Sequence, residues 1–189
     1  MRPSTHWFIL VLILGFTNVV QAKGVVVIGD SLSAMEDSWP SYIYGHHIGL
    51  MAQGGRTIRD FDIPRDIFAG IPFTTAVYFL GANDAAQGYR TYFAHGQFKT
   101  HIRLLQRRYF NVVVIIPPLF TNSPYEIENF VKLRREMFTL CSQMELNCHD
   151  SMDVWDNDLV AEDGVHPLPE LSSKLGYWMQ DIIDMEENQ

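Results

Sequence analysis

Three short, continuous runs of apolar residues constrain the fold of this chain more than any other feature. The runs GVVVIG (24–29), TTAVYFLG (74–81) and NVVVIIPP (111–118) are rich in valine and isoleucine. Continuous rather than alternating apolar residues are typical of strands that are buried on both faces of a sheet. The segments HHIGLMAQ (46–53) and ELNCHDSM (145–152) are weaker strand candidates, so five strands are predicted in all.

Helix-length segments separate these strand candidates along the chain. They lie near residues 39–44, 64–70, 89–109, 123–143 and 168–185. Alternation of strands and helices predicts a mainly parallel sheet with helices on both faces. In such α/β folds the ligand site lies beyond the carboxyl ends of the strands. The chain has 189 residues, of which 47% are apolar, which favours a single domain with one substantial core.

The first 22 residues differ from the rest of the chain. Arg2 is their only formally charged side chain, the apolar run WFILVLILGF follows it, and VQA (20–22) offers small residues for cleavage. This pattern predicts a signal peptide that is cleaved after Ala22, which leaves residues 23–189 as a secreted or periplasmic domain. The alternative is an uncleaved membrane anchor, but the run is short beside the roughly 20 residues that a membrane span needs.

Charge and cysteine content narrow the possible partners. Loss of Arg2 with the signal peptide changes the formal charge from −8 to −9, and an acidic surface argues against a nucleic-acid partner. Cys141 and Cys148 are the only cysteines, so they are a disulfide candidate in an oxidising compartment. On one continuous helix they would lie about 10 Å apart, so a disulfide requires the helix to end near Met144. Two free thiols are the alternative.

Polar side chains follow the predicted strands at the edge where the ligand site is expected. Ser31 comes directly after the first strand, GAND (81–84) follows the third, and DGVHP (163–167) lies near the C-terminus. Each motif taken alone is compatible with an ordinary helix cap or turn. Together they place a serine, an amide and a histidine–carboxylate pair at the same edge of the sheet.

These residues suit serine hydrolysis, which needs a base for the hydroxyl, a carboxylate that orients the base, and donors for the oxyanion. Asp163 precedes His166 by three residues, so one turn directs both side chains the same way. Asn83 can offer its side-chain amide to the oxyanion. Gly54 and Gly55 let a backbone N–H approach a ligand with no side chain in the way.

At this point the sequence resembles the SGNH hydrolases, also called GDSL esterases or lipases. The resemblance spans essentially the whole predicted mature chain, and its four blocks occur in the order of the family: GDSLS (29–33), GGRT (54–57), GAND (81–84) and DGVHP (163–167). It implies a three-layer α/β/α (flavodoxin-like) fold with a five-stranded parallel sheet, in agreement with the strand count above.

The resemblance also implies a role for each motif residue. Ser31 would be the nucleophile, His166 the general base and acid, and Asp163 the carboxylate that orients the histidine. The oxyanion hole would consist of the Ser31 backbone N–H, the Gly55 backbone N–H and the Asn83 side chain. No metal or cofactor is implied, and the sequence contains neither a P-loop nor a GxGxxG motif.

Three departures from the family pattern bear on these assignments. Residues 50–53 lack the asparagine that often precedes the second block, so the choice of Gly55 over Gly54 rests on alignment. The loop from Ser31 to the SWP segment (38–40) is shorter than is common, and the segment after His166 is longer. Asp30 and Asp84 flank the site residues and are interpreted as capping or supporting groups.

The predicted reaction is hydrolysis of small or exposed esters, with short-chain acyl or O-acetyl groups, through an acyl-enzyme. Four aromatic residues are candidates for the pocket lining: Trp39, Tyr42, Phe120 and Trp155. Three alternatives stay open: a lysophospholipase or thioesterase for longer chains, an acyltransferase to a hydroxyl acceptor, and a secreted binding module without turnover.

Overall fold

The computed structural model describes residues 24–63, 73–88, 91–109 and 111–188. The predicted signal peptide and the predicted helix near residues 64–70 lie outside the described residues. The described strands form one sheet in the order β2-β1-β3-β4-β5, and every neighbouring pair is parallel. Their bounds are β1 Gly24–Gly29, β2 His47–Ala52, β3 Phe73–Phe79, β4 Asn111–Ile116 and β5 Cys148–Asp150.

The predicted five-stranded α/β fold is therefore confirmed, and the sheet is flanked by helices. The helices are α1 Ser31–Ala34, α2 Ala82–Ala86, α3 Thr91–Gln106, α4 Ile127–Gln143 and α5 Pro169–Glu187. Within the described ranges, no helix is long and apolar enough to cross a membrane.

Several element boundaries differ from the sequence predictions. The segment predicted as a helix near 39–44 forms a short 3-10 helix, Trp39–Tyr42, with Pro40 in its first turn. Strand β5 keeps three of the eight residues in the predicted segment, because Ser151 begins a 3-10 turn that Asp150 caps through a hydrogen bond from the Met152 backbone N–H. Short helices α1 and α2 follow β1 and β3 directly. These two helical segments were predicted as loops.

The core lies along the central strands, as the continuous apolar runs predict. All six residues of β1 are buried, because β1 pairs with β2 on one side and β3 on the other and helices cover its faces. Helix α5 packs against the 39–42 helix at Gly176, where a Cβ atom would lie only 2.8 Å from the Trp39 carbonyl oxygen. Glycine at this position thus permits the close packing that fixes the segment after Ser31.

Cys141 and Cys148 form a disulfide, with an S–S distance of 2.03 Å and a Cα–Cα distance of 6.2 Å. The sequence analysis left this pairing open and required a helix that ends near Met144. Helix α4 ends at Gln143 with Met144 as its C-cap, and Glu145 adopts a positive φ of 52° that reverses the chain. The bond therefore joins the last turn of α4 to the start of β5.

Candidate active site

Ser31 is the first residue of α1, immediately after the carboxyl end of β1. The Asp30 side chain caps this helix, because its Oδ1 accepts a hydrogen bond of 3.0 Å from the Leu32 backbone N–H. Ser33 lies two residues further along α1 but is fully buried. Its Oγ accepts a hydrogen bond of 3.0 Å from the Trp39 indole N–H. Of the two serines, Ser31 is the one that lines the cavity at this edge of the sheet.

Asp163 and His166 form a tight hydrogen-bonded turn, as their spacing predicts. The His166 ring Nδ1 lies 2.6 Å from Asp163 Oδ2, while the backbone N–H groups of Val165 and His166 both donate to Asp163 Oδ1 at 2.9 Å. An ionised carboxylate only accepts hydrogen bonds, so Nδ1 carries the proton and Nε2 is the basic nitrogen. This is the tautomer that a general base requires.

The pKa of Asp163 reflects these hydrogen bonds. Partial burial of the carboxylate acts to raise its pKa, but the hydrogen bonds from the His166 ring and from the two backbone N–H groups outweigh it and lower the pKa from 3.8 to about 2. The carboxylate is therefore ionised throughout the range in which a histidine base works.

Gly164 allows the Asp163–His166 turn to pack on the loop that follows β4. Its φ of 69° lies in the left-handed region, and a Cβ atom there would come within 2.7 Å of Ser123 Cα as well as against the Asn122 backbone. A side chain would push the turn away from this loop. The Asn122 amide in turn donates a hydrogen bond of 2.9 Å to the Asn157 carbonyl, which holds the loop in place.

Asn83 lies at the start of α2, just beyond the carboxyl end of β3. Its Nδ2 donates a hydrogen bond of 3.0 Å to the Arg56 carbonyl, which ties the side chain to the Gly54–Thr57 segment. An amide nitrogen has two hydrogens, so one fixes the side chain and the second remains for an acceptor in the cavity that Asn83 lines.

Of the two glycines after β2, Gly54 is the one that lies close to the nucleophile turn. A Cβ atom at Gly54 would lie 3.9 Å from Ser31 Cβ, whereas Gly55 adopts a φ of 74° and a Cβ there would meet open space. The positive φ therefore favours glycine at position 55. At position 54, the nearby Ser31 side chain favours the absence of a side chain. The assignment of the Gly55 backbone N–H to the oxyanion hole stays a prediction.

One cavity of about 440 Å³ brings four of the five predicted site residues together, and Gly55 is not among the residues that line it. Ser31, Asn83, Asp163 and His166 all line it. Its remaining wall comes mainly from the end of α2, from the loop after β4 and from α4, and consists of Leu32, Ala82, Ala86, Phe120, Asn122, Ser123, Pro124, Tyr125, Phe130, Glu162 and Val165.

Of the four aromatic candidates for the pocket lining, Phe120 alone lines this cavity. Trp39 is buried in the core, Trp155 packs edge-on against Phe120 with centroids 5.3 Å apart, and Tyr42 packs against Tyr177. Tyr125 also lines the cavity and was not predicted, although its position after the third apolar run was a usable signal.

Asp30 and Asp84 are buried carboxyl groups beneath the site. Burial, with a smaller contribution from the nearby Asp84 charge, raises the pKa of Asp30 to about 7 against the opposing effect of the Leu32 hydrogen bond. Burial likewise raises the pKa of Asp84 to about 6, against backbone hydrogen bonds that include one of 2.7 Å from Ile58. Both groups therefore favour the protonated form far more than an exposed aspartate does.

His101 lies away from the cavity and makes structural contacts. The His101 ring is buried, with Nε2 2.9 Å from the Phe61 carbonyl and Nδ1 3.0 Å from the Tyr78 hydroxyl. Since a carbonyl only accepts, Nε2 carries the proton and Nδ1 accepts from Tyr78. Among the residues that the structure describes, no group of three or more His, Cys, Asp and Glu side chains is placed to hold a metal ion.

No family model and no curated protein matches this chain, but solved structures do. A carbohydrate acetylesterase family member from Sinorhizobium meliloti is 19% identical, with a TM-score of 0.69 over 88% of this chain and 100% of that chain. The aryl esterase of M. smegmatis is 18% identical, with a TM-score of 0.68 over 87% and 100% of the two chains. A member of the lipolytic protein G-D-S-L family from Veillonella parvula is 12% identical, with a TM-score of 0.68 over 86% and 99%.

These similarities extend over nearly the whole length of each solved chain and over 86% to 88% of this chain. The chain therefore has the α/β fold of the SGNH hydrolases, and the fold that the four sequence blocks imply is confirmed.

Proposed function

We propose that this protein is a secreted serine esterase in which Ser31, His166 and Asp163 form a catalytic triad. The observation that carries the proposal is the shared cavity: the Asp163–His166 turn and Ser31 lie 132 to 135 residues apart in sequence yet line one pocket. The tautomer that Asp163 imposes on His166 leaves Nε2 as the base. Neighbours described as a carbohydrate acetylesterase and an aryl esterase support ester chemistry in this fold.

The first half of the reaction forms the acyl-enzyme. Ser31 Oγ attacks the ester carbonyl carbon while its proton passes to His166 Nε2, and Asp163 stabilises the resulting imidazolium. The carbonyl oxygen becomes an oxyanion, which accepts hydrogen bonds from the Ser31 and Gly55 backbone N–H groups and from the Asn83 amide. The bond between carbon and the alcohol oxygen then breaks, and the alcohol leaves with the proton from Nε2.

The second half returns the enzyme to its starting state. His166 Nε2 removes a proton from a water molecule as the water oxygen attacks the acyl carbon. The same oxyanion contacts form again, and the bond to Ser31 Oγ breaks as Oγ regains a proton from the imidazolium. The products are a carboxylic acid and an alcohol, and no cofactor enters the cycle.

The walls of the cavity favour a small acyl group. Ala82 and Ala86 of α2 and the rings of Phe120 and Phe130 give the cavity an apolar part. The rest of its wall includes the polar side chains of Asn122, Ser123, Tyr125 and Glu162. A volume of about 440 Å³ lies at the small end of ligand pockets, which suits an acetyl or butyryl ester with a polar alcohol.

Secretion is part of the proposal. The signal-peptide pattern of residues 1–22 is supported by the disulfide between Cys141 and Cys148, because disulfides persist in oxidising compartments such as the periplasm and the cell exterior.

The test is ester hydrolysis by the purified 23–189 protein, with p-nitrophenyl acetate, butyrate and dodecanoate as substrates and a fluorescent organophosphonate as a label. We expect the acetate and butyrate to have higher kcat/KM than the dodecanoate, and the phosphonate to label Ser31. Ser31→Ala should abolish both labelling and turnover, while the matched control Ser173→Ala, at a partly exposed serine of α5 outside the cavity, should keep both. Labelling that persists in Ser31→Ala would contradict the assignment of the nucleophile.

A preference for the dodecanoate would shift the proposal toward a lysophospholipase or thioesterase. Product analysis with an added acceptor alcohol separates hydrolysis from acyl transfer, because transfer yields a new ester in place of the free acid.

A further inference from the structure

Two buried carboxyl groups adjoin the residues that carry the proposed chemistry. Asp30 immediately precedes Ser31 and is 1% exposed, and Asp84 immediately follows Asn83 and is 2% exposed. They lie on different elements, since Asp30 caps α1 after β1 and Asp84 lies in α2 after β3. Strands β1 and β3 are neighbours in the sheet, so the two carboxyl groups are brought together beneath the site.

Each carboxyl group is held by one of its oxygens and lacks a partner for the other. Asp30 Oδ1 accepts from the Leu32 backbone N–H at 3.0 Å, and Asp84 Oδ2 accepts from the Ile58 backbone N–H at 2.7 Å. Asp30 Oδ2 and Asp84 Oδ1 are buried and have no hydrogen-bond partner. A buried carboxylate oxygen without a donor is costly, and a proton on the carboxyl group removes that cost.

The groups that act on this pair come from three elements. Tyr78 of β3 lies near both carboxyl groups, and its pKa is raised by burial and by these two carboxylates. Its hydroxyl donates its hydrogen to His101 of α3, so it does not donate to either carboxyl group. Asp60, in the loop after β2, adds a further negative charge that acts on Asp84. The Arg59 backbone N–H also donates to Asp84. Most of the side chains around the pair are thus acidic or neutral, and such surroundings favour a protonated carboxyl group in the Asp30–Asp84 pair.

We propose that Asp30 and Asp84 hold one proton between them in the active protein, and that this proton maintains the positions of Ser31 and Asn83 for the reaction. The inference rests on the proposed esterase function. With one carboxyl group neutral, the α1 turn and the α2 turn carry a single negative charge between them. With both ionised, two buried charges repel each other across the β1–β3 edge and separate the nucleophile from the oxyanion donor.

The same carboxyl groups connect three of the four sequence blocks. Asp84 accepts a hydrogen bond from the Ile58 backbone N–H, and the neighbouring Asn83 donates one to the Arg56 carbonyl. These two bonds tie α2 to the loop that carries Gly54 and Gly55. Asp30 fixes the turn of Ser31. Asp30 and Asp84 are therefore positioning residues, which act through Ser31, Asn83 and the glycine loop and not on the substrate.

The first test is the pH dependence of kcat for wild type, Asp30→Asn and Asp84→Asn. Asparagine keeps an acceptor oxygen for the backbone N–H and is neutral at every pH. We expect wild-type kcat to fall severalfold as the pH rises through about 7, because the pair loses its shared proton there. In each Asn variant this alkaline decrease should disappear. The control Asp181→Asn, at an exposed position of α5, should keep the wild-type profile.

The second test needs no turnover. Infrared spectra of the wild-type protein labelled with ¹³C at the aspartate carboxyl carbons should contain the C=O band of a protonated carboxyl group at about pH 6, where exposed aspartates are ionised. The band should vanish in Asp30→Asn/Asp84→Asn. Its absence from wild type, or an alkaline decrease that is unchanged in both Asn variants, would overturn the proposal. If the wild type hydrolyses no ester, the esterase proposal fails, while the infrared band still decides whether the proton is present.

Discussion

Asp163 binds both the ring and the backbone of His166. Its Oδ2 lies 2.6 Å from the ring Nδ1 and its Oδ1 lies 2.9 Å from the backbone nitrogen. One carboxylate thereby fixes the tautomer of the imidazole and the position of the residue that bears it. Because the two residues are only three positions apart, this arrangement depends on the local turn and on Gly164 within it.

We expect Asp163→Asn to lower kcat by roughly 1000-fold or more, because an asparagine amide donates to Nδ1 and so leaves the proton on the wrong ring nitrogen. The melting temperature at neutral pH should fall by only a few degrees, since the Asp163 side chain is half exposed. Kinetics and thermal unfolding on one preparation measure both effects. The control is Asp158→Asn, an exposed aspartate of the same region, and near-normal kcat in Asp163→Asn would contradict the triad.

Acid should weaken the fold through Asp163. Its pKa is lowered from 3.8 to about 2 in the folded protein, so its contribution to stability is present above about pH 4 and is lost as the pH falls toward 2. The difference in melting temperature between wild type and Asp163→Asn should therefore shrink over this interval. A difference that stays constant from about pH 5 to pH 2 would show that the carboxylate does not titrate with a lowered pKa.

The buried carboxyl groups of Asp30 and Asp84 should change stability with pH in the opposite direction to Asp163. The pKa values of Asp30 and Asp84 are raised in the folded protein, to about 7 and about 6, so the contribution of their protonated forms to stability is fully present below about pH 4 and is lost as the pH rises through about 6 to 7. Melting curves of wild type and Asp30→Asn should accordingly diverge with increasing pH in favour of the variant. Parallel curves across this range would mean that Asp30 is ionised at all of these pH values.

The sheet and the Asp163–His166 turn could be predicted because their signals are local. The run at residues 24–29 is continuous and apolar, as a central strand must be, and the three-residue spacing of Asp163 and His166 sets their turn without reference to the rest of the fold. The order of strands then places Ser31 at the same edge, since all strands of a parallel sheet end there.

The wall of the cavity could not be predicted in the same way. The loop after β4 is held by long-range contacts, such as the hydrogen bond from Asn122 to the Asn157 carbonyl and the packing of Gly164 on the Ser123 backbone. Trp39 was interpreted as a pocket candidate because an aromatic residue near a strand end looks the same in sequence whether it lines a site or fills the core. The Trp39 side chain is buried in the core, where its indole N–H donates a hydrogen bond to the buried Ser33 hydroxyl.

Removal of the disulfide should destabilise the protein without changing its chemistry. The loop between Cys141 and Cys148 is short, with a sequence separation of 7, so its closure contributes about 2 to 3 kcal/mol in the chain-entropy description. We expect the Cys141→Ser/Cys148→Ser variant to melt about 5 to 10 °C below wild type, with kcat per folded molecule unchanged. Wild type with reductant is the matched control, and two free thiols in unreduced, denatured wild type would refute the bond.

Asn83 provides the sharpest test of the oxyanion hole. If its second amide hydrogen binds the carbonyl oxygen only when that oxygen becomes charged, Asn83→Ala should lower kcat by roughly 100- to 1000-fold and leave KM nearly unchanged. The lost hydrogen bond to the Arg56 carbonyl should cost about 1 kcal/mol of stability at the same time. The control is Asn129→Ala, whose amide makes only an exposed contact with Glu126 and whose loss should change neither quantity. A stable Asn83→Ala protein with kcat within about threefold of wild type, a change too small for a lost oxyanion contact, would leave Asn83 with the structural role alone.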